Sequence, residues 1–183
     1  MKIIRITDRL PRQMSDVDFH PDSALLLPGR PMFYPDFAGD WQAQLYMAVH
    51  INRLGKSVSA KFAPRYYDGA SVAVKVEPVA TDSIPSGRLS GLDSSITHGE
   101  WIPADELSAM KRLVIDGNEV VVDMPDAETV NRAVAWISEM TMLRMGDIIM
   151  LPLGMAPVAL APHTYLTIDI CGTDRRLMEV KVV

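Results

Sequence analysis

Cysteine is nearly absent. Cys171 is the only one in 183 residues, which excludes an internal disulfide and leaves too few thiolates for a sulfur-bound metal cluster. It reads as a buried or half-buried thiol. Positive charge is also short: 18 Lys and Arg against 23 Asp and Glu give a net charge of -5. No basic stripe gathers for a nucleic acid, since Arg175 and Arg176 are adjacent but isolated. No apolar run is long enough to cross a bilayer, and the one in "MKIIRITDRLPRQ" is too short for a signal peptide. A cytoplasmic protein without nucleic-acid or membrane partners is expected. Repeats and low-complexity tracts are missing too. The rest is the composition of a globular chain, 48% hydrophobic and 22% charged, and a single domain over residues 1–183 is expected.

Patterning divides the chain into many strands and one strong helix. From Trp41, the stretch "WQAQLYMAVHI" puts Trp41, Ala43, Leu45, Met47, Val49 and Ile51 on one side and Gln42, Gln44, Tyr46, Ala48 and His50 on the other. That period of two predicts a long half-buried strand with two amides on one face. "ASVAVKVEPVA" alternates in the same way, with Ala70, Val72, Val74 and Val76 opposite Ser71, Ala73, Lys75 and Glu77. "MKIIRI" is a short β-type run, "GDIIMLPLG" a buried strand, and "TYLTIDICGTDRRLMEVKVV" a closing hairpin. Two β-branched runs flank Asp116-Gly117, a pair suited to a hairpin turn with positive φ. "DAETVNRAVAWISEM" predicts a helix from Asp126, its cap, to about Leu143, with Val130, Val134, Ile137 and Met140 as its core stripe. One helical turn interrupted by Pro64 is expected around Ser59 to Tyr67. "TDRLPRQMSDVDFHPDS" and "TDSIPSGRLSGLDSSITHGEW" read as loops, and three prolines restrict "ALLLPGRPMFYPDFAGD" to short or edge strands. Strands outnumber helices and no βαβ alternation appears, so the class is α+β with much antiparallel sheet.

Chemistry-bearing residues give weak signals when taken singly. "HGE", residues 98 to 100, offers two ligands without a third. His20, His50 and His163 share no ligand spacing and read as structural or surface groups. Ser90, Ser94 and Ser95 lack a nucleophile elbow or a nearby base. The 12 methionines read as core filler and interface.

A collinear set of stretches from about Phe19 to Gly154 says more. "PDSALL", "PDFAGDW.AQL", "INRLGK", "FA.RYYDG", "SGLDSS....EWIP", "IDG" and "LRMGDIIML" together resemble the fumarylacetoacetate hydrolase family, especially its short members. The resemblance implies mixed sheets rolled around a central pocket, usually in a homodimer. It also implies a Mg²⁺ or Mn²⁺ ion that binds a dicarbonyl-type acid for hydrolysis, decarboxylation or isomerisation. By the same resemblance, two metal ligands are a Glu-x-Glu pair, and Gln42 and Gln44 stand there. The third is an aspartate on the next long strand, where this chain has Lys75. A substrate-contacting lysine is matched by Ser90, within a tract that keeps Gly91 and Asp93. A pocket threonine falls in a tract that reads Leu151, Pro152, Leu153 and Gly154, and the water-positioning His-x-x-Glu pair has no counterpart. Three carboxylates lost and one ammonium gained imply that the metal has gone. The implied protein is a non-catalytic family member that binds a small anionic metabolite or partners an active relative. The alternatives are an active enzyme with different ligands and a purely structural subunit with a filled pocket. Lys75 is expected to act as the cation of the old site, donating to Gln42 and Gln44, with its pKa lowered by burial or its charge compensated by a bound anion or by Asp93. Gln42, Gln44, Lys75, Ser90, Asp93 and Leu153 are thus the candidate pocket residues, with no catalytic residue and no cofactor.

Overall fold

The computed structural model describes residues 1–7, 17–33, 35–79 and 89–183. Their strands are β1 (Lys2–Ile6), β2 (Val17–Pro21), β3 (Trp41–Ile51), β4 (Tyr67–Pro78), β5 (Ile96–His98), β6 (Arg112–Ile115), β7 (Asn118–Val121), β8 (Ile148–Pro152), β9 (Val158–Leu160), β10 (Tyr165–Ile170) and β11 (Arg176–Lys181). Two α-helices accompany them, α1 (Ala104–Ala109) and α2 (Ala127–Met140). A mixed sheet runs β2-β1-β8-β3-β4-β5, with β9 also paired to β3, and a second sheet runs β11-β10-β6-β7. Within the mixed sheet β1 and β8 are parallel, whereas β3 is antiparallel to β4, β8 and β9.

Strand periodicity decides what each face of the mixed sheet carries. Ile4, Leu45, Met47, Val72, Val74, Ile149 and Leu151 enter the main core, together with Val130, Val134 and Ile137 of α2 and Leu113 and Ile168 of the second sheet. The intervening residues Ile3, Tyr46, Ala48, Ala73, Ile148 and Met150 form a smaller apolar cluster on the opposite face. That second face is concave. Arg5 of β1 donates to Glu77 of β4 at 3.0 Å although β8 and β3 lie between them. Three strand spacings measure about 14 Å along a flat sheet, so the two side chains meet only because the sheet curls over this face.

Most expected elements are present with small shifts. β3 spans Trp41–Ile51, and the hairpin turns through Asp116 and Gly117 at φ 48° and 78°. Asp126 caps α2 by accepting from Thr129 N at 2.8 Å, but the helix stops at Met140 rather than Leu143. Leu143 instead exchanges backbone hydrogen bonds with Gly55, at 2.8 and 3.1 Å, and the chain leaves the helix to make them. The expected turn around Pro64 is a 3-10 helix over Ala60–Arg65. Asp147, fully buried, accepts from Lys2 N at 3.0 Å and Arg144 N at 2.8 Å, which ties β1 to the entry of β8.

Four elements correct the sequence reading. β2 lies inside a stretch expected to be loop; Asp18 and His20 hide its alternation, and pairing with β1 makes it a strand, with Asp18 directly opposite Arg5. β5 lies in the other expected loop, and α1 and β9 were not anticipated. Residues 8–16 and 80–88, which take in much of the two expected loops, lie outside the described residues.

Candidate functional site

Polar side chains converge at one end of the concave face. In the β3–β4 register, Gln42 stands opposite Glu77 and Gln44 opposite Lys75, so all four project to the same side. β1 and β2 add Arg5, opposite Asp18, and His20, opposite Ile3. Arg5 is the hub. Its Nε donates to Asp18 at 3.1 Å, its Nη1 to Glu77 at 3.0 Å and to the Tyr46 hydroxyl at 3.4 Å, and its Nη2 donates to Asp18 as well. Arg5 and Glu77 keep 13% of their side chains exposed and Asp18 keeps 25%, so solvent reaches this rim.

Below the rim the groups are dry. Lys75 is 0% exposed, and its Nζ donates to Ser95 Oγ at 2.9 Å and to the Val76 carbonyl at 3.0 Å. Both partners are neutral oxygens; Ser95 in turn donates to the Leu92 carbonyl at 2.7 Å. Burial, and then the Arg5 guanidinium, push the Lys75 pKa down to about 8, against the pull of Glu77 and Asp18. His20 is 2% exposed, with Nδ1 2.9 Å from the Ser90 carbonyl and Nε2 without a partner. Burial, Lys75 and Arg5 together lower its pKa to about 4. The imidazole is therefore neutral at pH 7. A carbonyl only accepts, so Nδ1 holds the proton and Nε2 presents a lone pair.

The structure brings Gln42, Gln44 and Lys75 together, sets the Ser90 carbonyl against His20, leaves Asp93 exposed and places Leu153 in the main core. The expected bonds from Lys75 to the two amides are not formed: the ammonium turns down to Ser95 and Val76, which lie closer to its own backbone. Asp93 is exposed, and the carboxylates acting on Lys75 are Glu77 and Asp18. Ser90 is half-buried and contributes its carbonyl, to His20. Leu153 is fully buried in the main core, where its N–H reaches the Leu45 carbonyl at 3.3 Å. Sequence reasoning missed Arg5, Asp18, His20, Tyr46, Glu77 and Ser95 as a group. One signal was available, a charge in the middle of the apolar run "IIRI".

The donor set does not fit a divalent cation. Both carboxylates of the cluster are held by Arg5, the amides are weak ligands, and an ammonium sits beside them. At 4 Å and an effective dielectric constant of 20, that ammonium repels a doubly charged ion by about 8 kcal/mol. Among the described residues no group of three or more His, Cys, Asp or Glu is placed to hold a metal. "HGE" is no exception, since His98 Nδ1 lies 2.7 Å from the Gly99 carbonyl and Glu100 pairs with Arg175 at 3.2 Å.

No family model and no curated protein sequence matches the chain. Solved structures do. The whole chain superposes on 78% of the 5-carboxymethyl-2-hydroxymuconate delta-isomerase of Mycobacterium smegmatis, with a TM-score of 0.79 at 20% identity. It covers 93% of a protein of Yersinia pestis assigned to the fumarylacetoacetate hydrolase family, with a TM-score of 0.77 at 16% identity. It also covers 88% of the fumarylpyruvate hydrolase of Pseudomonas aeruginosa solved with Mn²⁺ and pyruvate, with a TM-score of 0.70 at 16% identity. The chain has the fold of the fumarylacetoacetate hydrolase family, which these neighbours share.

Proposed function

We propose that this protein is a metal-independent, non-catalytic member of that family which binds a small carboxylate on the concave face, at Lys75 below the rim. One observation carries the reading: the Lys75 ammonium is buried against neutral oxygens, with no carboxylate in contact among the described residues. A buried charge without a contacting counterion is unfavourable, and a bound anion relieves it as no cation does. Gln42 and Gln44 remain half-buried above it, with amide N–H groups free to orient an incoming carboxylate. A homodimer is part of this reading, as is a cytoplasmic location. Among the described residues no helix is long and apolar enough to cross a membrane.

Thermal melts and calorimetry test it. Millimolar Mn²⁺ or Mg²⁺ is expected to leave the melting temperature unchanged, whereas pyruvate or lactate raises it. Saturation at 100 times the dissociation constant stabilises by about 2.7 kcal/mol, which a melt resolves easily. A clear upward shift with Mn²⁺, or turnover of an acylpyruvate by the purified protein, would return the reading to a metal enzyme.

A further inference from the structure

We infer that His20 Nε2 is the acceptor of a hydroxyl subsite, and that the site selects a 2-hydroxy acid over the corresponding 2-oxo acid. The inference rests on the carboxylate-binding reading above and adds the second functional group of the ligand. His20 is 2% exposed, and its Nδ1–H is spent on the Ser90 carbonyl at 2.9 Å. That bond fixes the tautomer and leaves the unprotonated Nε2 buried without a partner.

The donors nearby do not supply one. Arg5 directs its N–H groups to Asp18, Tyr46 and Glu77, and Lys75 directs two of its three to Ser95 and Val76. Both are held in place by these partners and act on His20 only through their fields, which disfavour its protonation. An imidazole that is neutral at pH 7 does not bond the carbonyl oxygen of a 2-oxo acid through Nε2, because two acceptors meet. A 2-hydroxy acid offers what the site lacks, an O–H donor adjacent to a carboxylate for Lys75. Sites built around a buried polar atom reject analogues that leave it unpaired, because that atom has given up water to be there.

The test uses the full chain and two probes, lactate and pyruvate, titrated by calorimetry at pH 7. Lactate is expected to bind about tenfold more tightly, the worth of one neutral hydrogen bond. In His20→Phe, which keeps a ring but no acceptor, that preference should collapse. A measurement on the native protein guards against misfolding of the variant: the ¹⁵N resonance of His20 Nε2 should shift on adding lactate and stay in place with pyruvate. Equal binding of the two acids to the native protein, a preference that survives in folded His20→Phe, or an unmoved nitrogen at saturating lactate overturns the inference while the carboxylate reading stands. If neither acid binds, both fall together.

Discussion

Replacing Lys75 by methionine should make the protein more stable at neutral pH, although it removes a fully buried side chain that makes two hydrogen bonds. Burial and Arg5 lower the Lys75 pKa from 10.5 to about 8. The unfolded chain therefore holds this proton more tightly than the folded one between those values. Stability rises with pH wherever the unfolded state binds more protons, so the penalty is fully present below pH 8 and relieved towards pH 10.5. At 1.36 kcal/mol per pH unit the lowered pKa corresponds to about 3 kcal/mol. Against it stand two hydrogen bonds to neutral oxygens, each worth about 1 kcal/mol. Ser95 keeps its bond to the Leu92 carbonyl when Lys75 is gone, so the variant leaves no orphaned hydroxyl. The net gain at pH 7 is about 1 to 2 kcal/mol, which raises the melting temperature by roughly 2 to 8 °C for a chain of this size. Urea denaturation of both proteins from pH 7 to pH 10 measures it, and the difference should shrink or reverse across that range. Loss of more than 1 kcal/mol at pH 7, or a difference that ignores pH, would refute the account of Lys75 as an uncompensated ammonium.

Three further outcomes follow from other parts of the molecule. Gly99→Ala should destabilise by about 3 kcal/mol, the upper end of overpacking, because its Cβ would lie 2.0 Å from the Leu177 carbonyl where β11 approaches the mixed sheet; chemical denaturation reads this, and a neutral result would mean that the approach is soft. Asp126→Ala should cost about 1 kcal/mol by uncapping α2 at Thr129 N, visible as a lower melting temperature. Sedimentation at micromolar concentration should give twice the 20.2 kDa of the chain, and a mass near 20.2 kDa would remove the homodimer from the proposal.

Local physics made much of the fold readable. β3 and β4 are long enough for a period of two to show without help from partners, and Asp116-Gly117 places φ values of 48° and 78° where few other residues would go. α2 carries its own start signal in Asp126. β2 shows the opposite case: five residues, of which Asp18 and His20 face the concave side and Pro21 ends the run, look like loop until β1 is placed beside them. β5 and β9 have three residues each and take their conformation from β4 and β3 rather than from their own composition.

The site was legible only along single strands. Gln42 and Gln44 share a face because of their spacing, and so do Lys75 and Glu77; no tertiary information is needed for either pair. What the sequence does not contain is the curl that brings Arg5 from β1 to Glu77 on β4 at 3.0 Å. That curl decides the electrostatics. Lys75 read alone is an ammonium in a vacated cation position, looking for the amides above it. Within the cluster it is one of two cations facing Asp18 and Glu77, and the carboxylates have gone to Arg5. The two charges of each sign balance, yet unevenly: the guanidinium has contact partners of opposite charge at the rim, and the ammonium has none at the floor. A charge-balanced cluster is soluble in the protein interior without a metal, and its one unpaired member marks where an anion gains most. Burial, reinforced by both cations against the opposing pull of Asp18, keeps His20 neutral. In the proposed reading, residue identities at positions 42, 44 and 75 point to a changed chemistry, and Arg5, Asp18 and Glu77, reached through the roll of the sheet, define the electrostatics in which Lys75 sits.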